Sequence, residues 1–98
     1  MKALWNNKVI ADSKDTITIE GNAYFPPDSI SKEYYHDSPT ETTCIWKGKA
    51  SYFNIKVDGK ENPDAAFTYK DPKKTAKTIV KKDFSNYVAF WRGVEIQK

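Results

Sequence analysis

The chain has 98 residues, of which 39% are hydrophobic and 30% charged, and its net charge is +3. That length suits one domain over residues 1–98 with a single modest core, and leaves no room for a second catalytic domain. The balance excludes a disordered tail, and no stretch is apolar for the roughly 18 residues a membrane helix needs.

The predicted elements are mostly short strands divided by turns. Leu4-Trp5 and Val9 to Ala11 flank Asn6-Asn7, and asparagine tolerates the positive φ of a hairpin turn. Thr16 to Glu20 alternates, with Ile17 and Ile19 on one face, as a half-buried strand does. Gly21-Asn22 turns the chain into Ala23-Tyr24-Phe25, and Pro26-Pro27 ends that strand because proline cannot donate to a ladder. Ile30 and Tyr34, four apart, predict a short helix over Asp28 to Tyr35, followed by a polar loop from His36 to Thr40.

Glu41 to Trp46 reads as a strand entering a turn at Lys47-Gly48. Ala50 to Val57 carries the longest alternation, Asp58-Gly59 is the strongest hairpin turn, and Ala65 to Tyr69 is the return strand. At Asp71-Pro72 a helix start is predicted, with Asp71 as cap and Pro72 in the first turn. The helix itself spans Lys73 to Val80, with Ala76, Ile79 and Val80 as its apolar stripe. Tyr87 to Trp91, a turn at Arg92-Gly93 and Val94 to Ile96 complete the chain. Aromatic residues make up 14%, which favours pleated surfaces over helices. The expected fold is therefore mainly β, two sheets with one or two short helices that cover sheet edges.

Charge and cysteine usage narrow the partners. Arg92 is the single arginine among sixteen basic residues. Specific readers of nucleic acid lean on the planar guanidinium fork, so specific nucleic-acid binding is not expected. Cys44 is the only cysteine; it has no internal disulfide partner, and a lone thiol fits a reducing compartment. Met1 to Ile10 has no basic region followed by a long apolar run, so the expected location is the cytoplasm.

Four segments then occur in a telling order: Tyr24-Phe25-Pro26-Pro27, Thr42-Thr43-Cys44-Ile45-Trp46-Lys47-Gly48-Lys49-Ala50-Ser51-Tyr52, Asn62-Pro63-Asp64-Ala65-Ala66-Phe67-Thr68-Tyr69 and Tyr87-Val88-Ala89-Phe90-Trp91. Over nearly its whole length the chain resembles the bacterial domain of unknown function 427, a family also labelled a nucleotidyltransferase domain. The Cys-x-Trp-Lys-Gly-x-Ala-x-Tyr block is the specific part. Ile45 stands where relatives are expected to have proline, and Phe67 where they often have tryptophan. The resemblance implies a β-tent, two sheets leaning together, similar in outline to zinc-binding β-tent domains. Their metal does not carry over, because paired cysteines are needed and this chain has one cysteine and one histidine. No cofactor is expected. No phosphate-binding glycine loop and no Gly-Ser with paired aspartates is present.

The residues that can carry chemistry gather around the same block. Lys47 offers a cation that can also activate the Cys44 thiol, and Trp46 offers a flat surface for a ring. Tyr24, Tyr52 and Tyr69 can add hydroxyls, and Ala50 beside Tyr52 leaves room on that strand face. The expected ligand site is therefore Tyr24, Cys44, Trp46, Lys47, Tyr52 and Tyr69, taking an unidentified, plausibly anionic small molecule, with catalysis left open. The alternative is a protein-interaction module that uses a sheet edge or an aromatic patch. A third expectation is salt-dependent attraction of anions to the lysines between Lys73 and Lys82. His36 is expected to be an exposed loop residue. Asp12, Asp15, Glu20, Asp28 and Asp64 flank turns and form no recognisable catalytic pair.

Overall fold

Two-residue turns with both residues at positive φ set the hairpins. Asn6-Asn7 (49° and 66°) joins β1 (Lys2–Trp5) to β2 (Lys8–Asp12), and Glu20-Gly21 (53° and 82°) joins β3 (Ile17–Ile19) to β4 (Asn22–Tyr24). After β5 (Tyr35–Cys44), Asp58-Gly59 (50° and 79°) joins β6 (Gly48–Val57) to β7 (Lys60–Thr68). Positive φ at both positions belongs to the type I′ turn, whose twist matches that of the strands it connects. The computed structural model describes residues 1–98. It adds one helix, α1 (Lys74–Val80), and two short strands, β8 (Val88–Phe90) and β9 (Glu95–Gln97). No helix is long and apolar enough to cross a membrane.

The fold is mainly β, and its strands divide among three antiparallel sheets: β5-β6-β7-β8, β2-β1-β9 and the β3-β4 pair. The pair continues from β8 through a single bridge, in which Phe25 and Val88 exchange two N–H···O bonds of 2.8 Å. A second bridge ties Ala11 to Ile30.

Strand alternation sends neighbouring residues to opposite faces of the four-stranded sheet, and each face is covered. Val88 and Phe90 enter a cluster with Ala3, Ile10, Phe25, Ile55 and Val57, under the β2-β1-β9 sheet. Ala89, between them, enters a second cluster with Ile19, Tyr24, Ala50, Tyr69, Ala76 and Phe84. Tyr24 and Phe25 divide in the same way. The consequence is a central sheet with two cores, and the second of these holds the expected site.

Several local expectations change. The segment from Asp28 to Tyr35 forms two 3-10 turns, Pro27–Ser29 and Lys32–Tyr34, rather than one helix. The Ser31 N–H is spent on the Ile10 carbonyl, which breaks the helical ladder there. His36 to Thr40 lies within β5 and not in a loop. The pairing register shifts between Asp37 and Glu41, so Ser38, Pro39 and Thr40 bulge from the ladder, and the proline costs no bond. The Asp64 carboxylate secures the bulge by accepting from the Ser38 hydroxyl (2.5 Å) and the Thr40 hydroxyl (2.9 Å). Those hydroxyls hold the Asp64 carboxyl below the usual carboxylate range.

Helix α1 starts after Lys73 and not at Asp71-Pro72, and no side chain caps it. Ala76 is buried and Val80 half-buried, but Ile79 is 66% exposed, so the apolar stripe is narrower than its spacing suggests. The lysine stripe is also interrupted. The Lys73 ammonium donates to the Ile45 carbonyl, Lys77 lies 3.7 Å from Asp83, and Lys81 leaves the helix at φ 65°.

Candidate functional site

The turn Ile45-Trp46-Lys47 between β5 and β6 is clamped from one side. The Lys73 N–H donates to the Lys47 carbonyl (3.0 Å), and the Lys73 ammonium donates to the Ile45 carbonyl (2.6 Å). The backbone conformation, and not crowding, explains why glycine follows. Gly48 sits at φ 110°, where side chains are strained, and a Cβ there would lie 3.5 Å from the Lys73 nitrogen. With its backbone held, Lys47 points into the second core and is 6% exposed.

Its ammonium lies 5.4 Å from the Trp46 ring centroid and 5.1 Å from that of Tyr69. Ring faces are electron-rich, so both attract the cation. Its one hydrogen bond goes to the Glu20 carboxylate, at 2.5 Å. Burial alone would lower the ammonium's pKa. The Glu20 bond and the nearby phenols of Tyr24 and Tyr69 outweigh burial, and the net shift is upward. Lys47 is thus a fixed cation throughout the physiological range.

Tyr24 is fully buried beside this cation, and its hydroxyl has no hydrogen-bond partner. Lys47 acts on it through charge and, more weakly, as a neighbouring donor. Burial raises the Tyr24 pKa, Lys47 opposes the rise, and the outcome is about 12. The Tyr69 phenol is pushed up for the same reason. An unpaired buried hydroxyl costs roughly 1–3 kcal/mol. Tyr24→Phe should therefore stabilise the protein by about 1 kcal/mol, read as a higher urea midpoint. A fall in the midpoint would mean that the hydroxyl is satisfied in solution.

An aromatic surface extends from this cluster. Tyr52 and Phe67 face each other across β6 and β7, with ring centroids 5.8 Å apart. Phe67 also meets Tyr24 edge-on at 6.1 Å and Tyr69 at 6.5 Å. Trp91 packs 6.4 Å from Tyr52 and 6.3 Å from Phe67, and stays 46% exposed. The Tyr52 hydroxyl shares a 3.0 Å hydrogen bond with that of Thr42. Cys44 and Trp46 are half-buried against the same core.

All six expected site residues, Tyr24, Cys44, Trp46, Lys47, Tyr52 and Tyr69, thus lie in or against one cluster. They form a packed face and not a hollow. A cavity of about 260 Å³ borders Tyr52, lined also by Asp37, Ser38, Glu41, Ser51 and Lys70, and none opens onto Lys47. Glu20, Phe67 and Phe84 are site residues that sequence reasoning missed. The sequence places the turn at Gly21-Asn22 with Glu20 in the strand, whereas the structure turns at Glu20-Gly21 and puts Asn22 in β4, so glutamate stands where asparagine or aspartate is the ordinary choice. His36 is exposed on β5 opposite Asn54. Nowhere do three His, Cys, Asp or Glu side chains gather as a metal set.

The four motif segments meet in this region: Tyr24 from the first, Cys44 to Tyr52 from the second, Phe67 and Tyr69 from the third, and Trp91 from the last. No curated protein matches the chain. A family model described as Domain of unknown function (DUF427) matches residues 1–97, and the chain belongs to that family.

Proposed function

We propose that the protein is a cytoplasmic binding module for a small acidic molecule, with Lys47, Tyr24 and Tyr69 as its donors. The observation that carries this reading is a buried cation with one hydrogen-bond acceptor, beside a buried hydroxyl with none. An ammonium has three N–H donors, so donor capacity exceeds supply at one point in an otherwise satisfied core. A carboxylate or phosphate supplies two or more acceptor oxygens to that point. Trp46, Tyr52 and Phe67 supply flat apolar area for the rest of the ligand. The single free thiol suits a reducing compartment.

The test is thermal stability against a panel of carboxylates, sugar phosphates and nucleotides. A ligand at about a hundred times its dissociation constant adds roughly 2.7 kcal/mol, which raises Tm by roughly 10 °C or more in a domain of this size. Lys47→Met should abolish that shift while changing the stability of the free protein by less than about 1 kcal/mol. Methionine fills the space between the two rings, and Glu20, 54% exposed, returns to water. A hit that survives Lys47→Met refutes the role given to Lys47.

A second reading draws on Trp91, whose exposed ring is stacked by Arg92 at 4.6 Å and adjoins Tyr52 and Phe67. Such a rim suits a protein partner. It predicts co-purification of a partner that Trp91→Ala releases, whereas a monomer that answers only to small anions supports the first reading.

A further inference from the structure

We infer that Glu20 is an internal stand-in for the ligand, a carboxylate carried on the β3–β4 turn that occupies the anion position on Lys47 until an incoming anion displaces it. This rests on the reading of the Lys47 cluster as an anion site, and it assigns that site both a ligand class and a gate.

The two members of the ion pair are unequal. Lys47 is held by its clamped backbone and by two rings, and its side chain is 8% exposed; the Glu20 side chain is 54% exposed. Glu20 brings no apolar side chain to either core, and half of its side chain is in water. Its withdrawal returns a charged group to water. Lys47 cannot withdraw in the same way without leaving Trp46 and Tyr69. Exchange of acceptors on Lys47 therefore proceeds by movement of Glu20.

The turn supports the same assignment. Glu20 takes φ 53°, a conformation that asparagine, aspartate or glycine adopts far more readily than glutamate. Asn6-Asn7 and Asp58-Gly59 carry the side chains that suit this backbone best, and Glu20-Gly21 does not. The longer side chain at this position reaches Lys47, 27 residues away in sequence. Arg92 takes a similar φ of 54° before Gly93, so the backbone alone does not single Glu20 out; what does is the contact its side chain makes with the buried Lys47.

Glu20 also leaves the site half-filled. The Tyr24 hydroxyl remains unpartnered while the carboxylate is in place. Tyr24 is fully buried and no cavity opens onto it, so a free carboxylate or phosphate meets both the ammonium and that hydroxyl only by taking the place that Glu20 leaves. Such a ligand makes a bond the stand-in does not make, which is the differential affinity that displacement needs. Both sources share one chemistry, an anion with two or more acceptor oxygens, and the experiment separates them.

The experiment follows the side-chain signal of Lys47 by NMR in lysine-labelled protein. The Trp46 and Tyr69 rings shift this signal away from those of the other lysines, and its loss in Lys47→Met assigns it. Inorganic phosphate and formate are titrated separately into the wild type, Glu20→Gln and Glu20→Asn. If Glu20 occupies Lys47 about nine-tenths of the time, removing it tightens binding about tenfold. The expected result is a midpoint about tenfold lower in both variants for every anion that binds, and the anion with the lower midpoint identifies the headgroup. Asparagine suits the turn, so Glu20→Asn guards against loss of fold in Glu20→Gln. Equal midpoints in wild type and variants overturn the gate while the anion site stands. A Lys47 signal that moves in none of the three proteins overturns the site and the gate together. Unfolding of both variants makes the carboxylate a structural one and also overturns the gate.

Discussion

Phe84→Ala should lower the unfolding free energy by about 3–5 kcal/mol, the range for deleting a fully buried phenylalanine without full collapse of the cavity. Phe84 is 0% exposed and is the floor on which both site phenols rest. Its ring meets Tyr24 edge-on at 6.2 Å and Tyr69 at 6.1 Å. The backbone around it leaves little room to close the gap. The Asn86 N–H is bound to the Tyr69 carbonyl (2.9 Å), the Tyr87 N–H to the Phe84 carbonyl (3.1 Å), and the Asp83 carboxylate accepts from the Ser85 N–H and hydroxyl. A domain of this size has about 5–15 kcal/mol in total, so the loss is a large share of its stability. At roughly 4–8 °C per kcal/mol, Tm should fall by about 12 °C at least. A urea or thermal melt that shows a loss under about 1.5 kcal/mol would mean that the second core relaxes freely. The tight packing invoked to fix Lys47, Tyr24 and Tyr69 would then be absent.

The effect on the site should go beyond stability. Tyr69 forms one wall of the Lys47 cation cage, and it is positioned by Phe84 on one side and Phe67 on the other. Where folded Phe84→Ala protein can be prepared below its Tm, the Lys47 side-chain signal should lose part of its ring-induced shift. A packed aromatic floor is thus the means by which the fold holds a cation in a nearly dry place.

Legibility from sequence followed the range of the interactions. Asn6-Asn7 and Asp58-Gly59 were readable because their chemistry is local: both residues of each turn need positive φ, and these side chains accept it. Alternation of Ala50 to Val57 was readable for the same reason, although β6 starts at Gly48 and its register slips between Phe53 and Ile55. The bulge at Ser38-Pro39-Thr40 was not readable, since its anchor is a carboxylate at position 64, and a serine-proline pair reads as loop without it. The start of α1 was misplaced because the carbonyl of Asp71 and the N–H of Lys73 pack on the Lys47-Gly48 turn, about 25 residues earlier, and so cannot open a helix. Lys47, Trp46 and Cys44 could be nominated from spacing alone, and Tyr24, Tyr52 and Tyr69 from the resemblance and from strand faces. Glu20 could not. Its contact with Lys47 depends on where the β3–β4 hairpin leans, and that is set by the bridge from Phe25 to Val88 and by the burial of Ile19 and Tyr24 in the second core.

Raising the pH above 10 should destabilise the protein steeply, because buried phenols hold protons there that the unfolded chain has released. The sign follows from where the protons sit. Tyr24 has an ordinary value of 10.0 and a folded value of about 12, so between these the unfolded chain has released a proton that the folded chain still holds. Stability then falls as pH rises. The contribution is complete below pH 10 and is lost as pH climbs toward 12. Two units correspond to roughly 2 to 3 kcal/mol from this buried phenol alone. Tyr35, whose hydroxyl donates to the Ile10 carbonyl at 2.8 Å, and Tyr69 are both pushed up by burial and add in the same direction. Lys47 adds as well. Its raised folded value means that its stabilising charge is fully present below about 10.5 and is lost above it. Urea midpoints measured from about pH 8 to about pH 12 should therefore hold steady and then drop steeply past 10. Tyr24→Phe removes one titrating phenol, so its drop should be shallower and its advantage over wild type should widen with pH. A flat profile to pH 12, or tyrosinate absorbance that rises as one step near 10 for all six tyrosines, would count against a dry core around Lys47. The comparison of the two proteins matters more than either curve. A hydroxyl that destabilises the fold at neutral pH and further still in alkali, beside a buried cation with one hydrogen-bond acceptor, is the juxtaposition on which the proposed anion site rests.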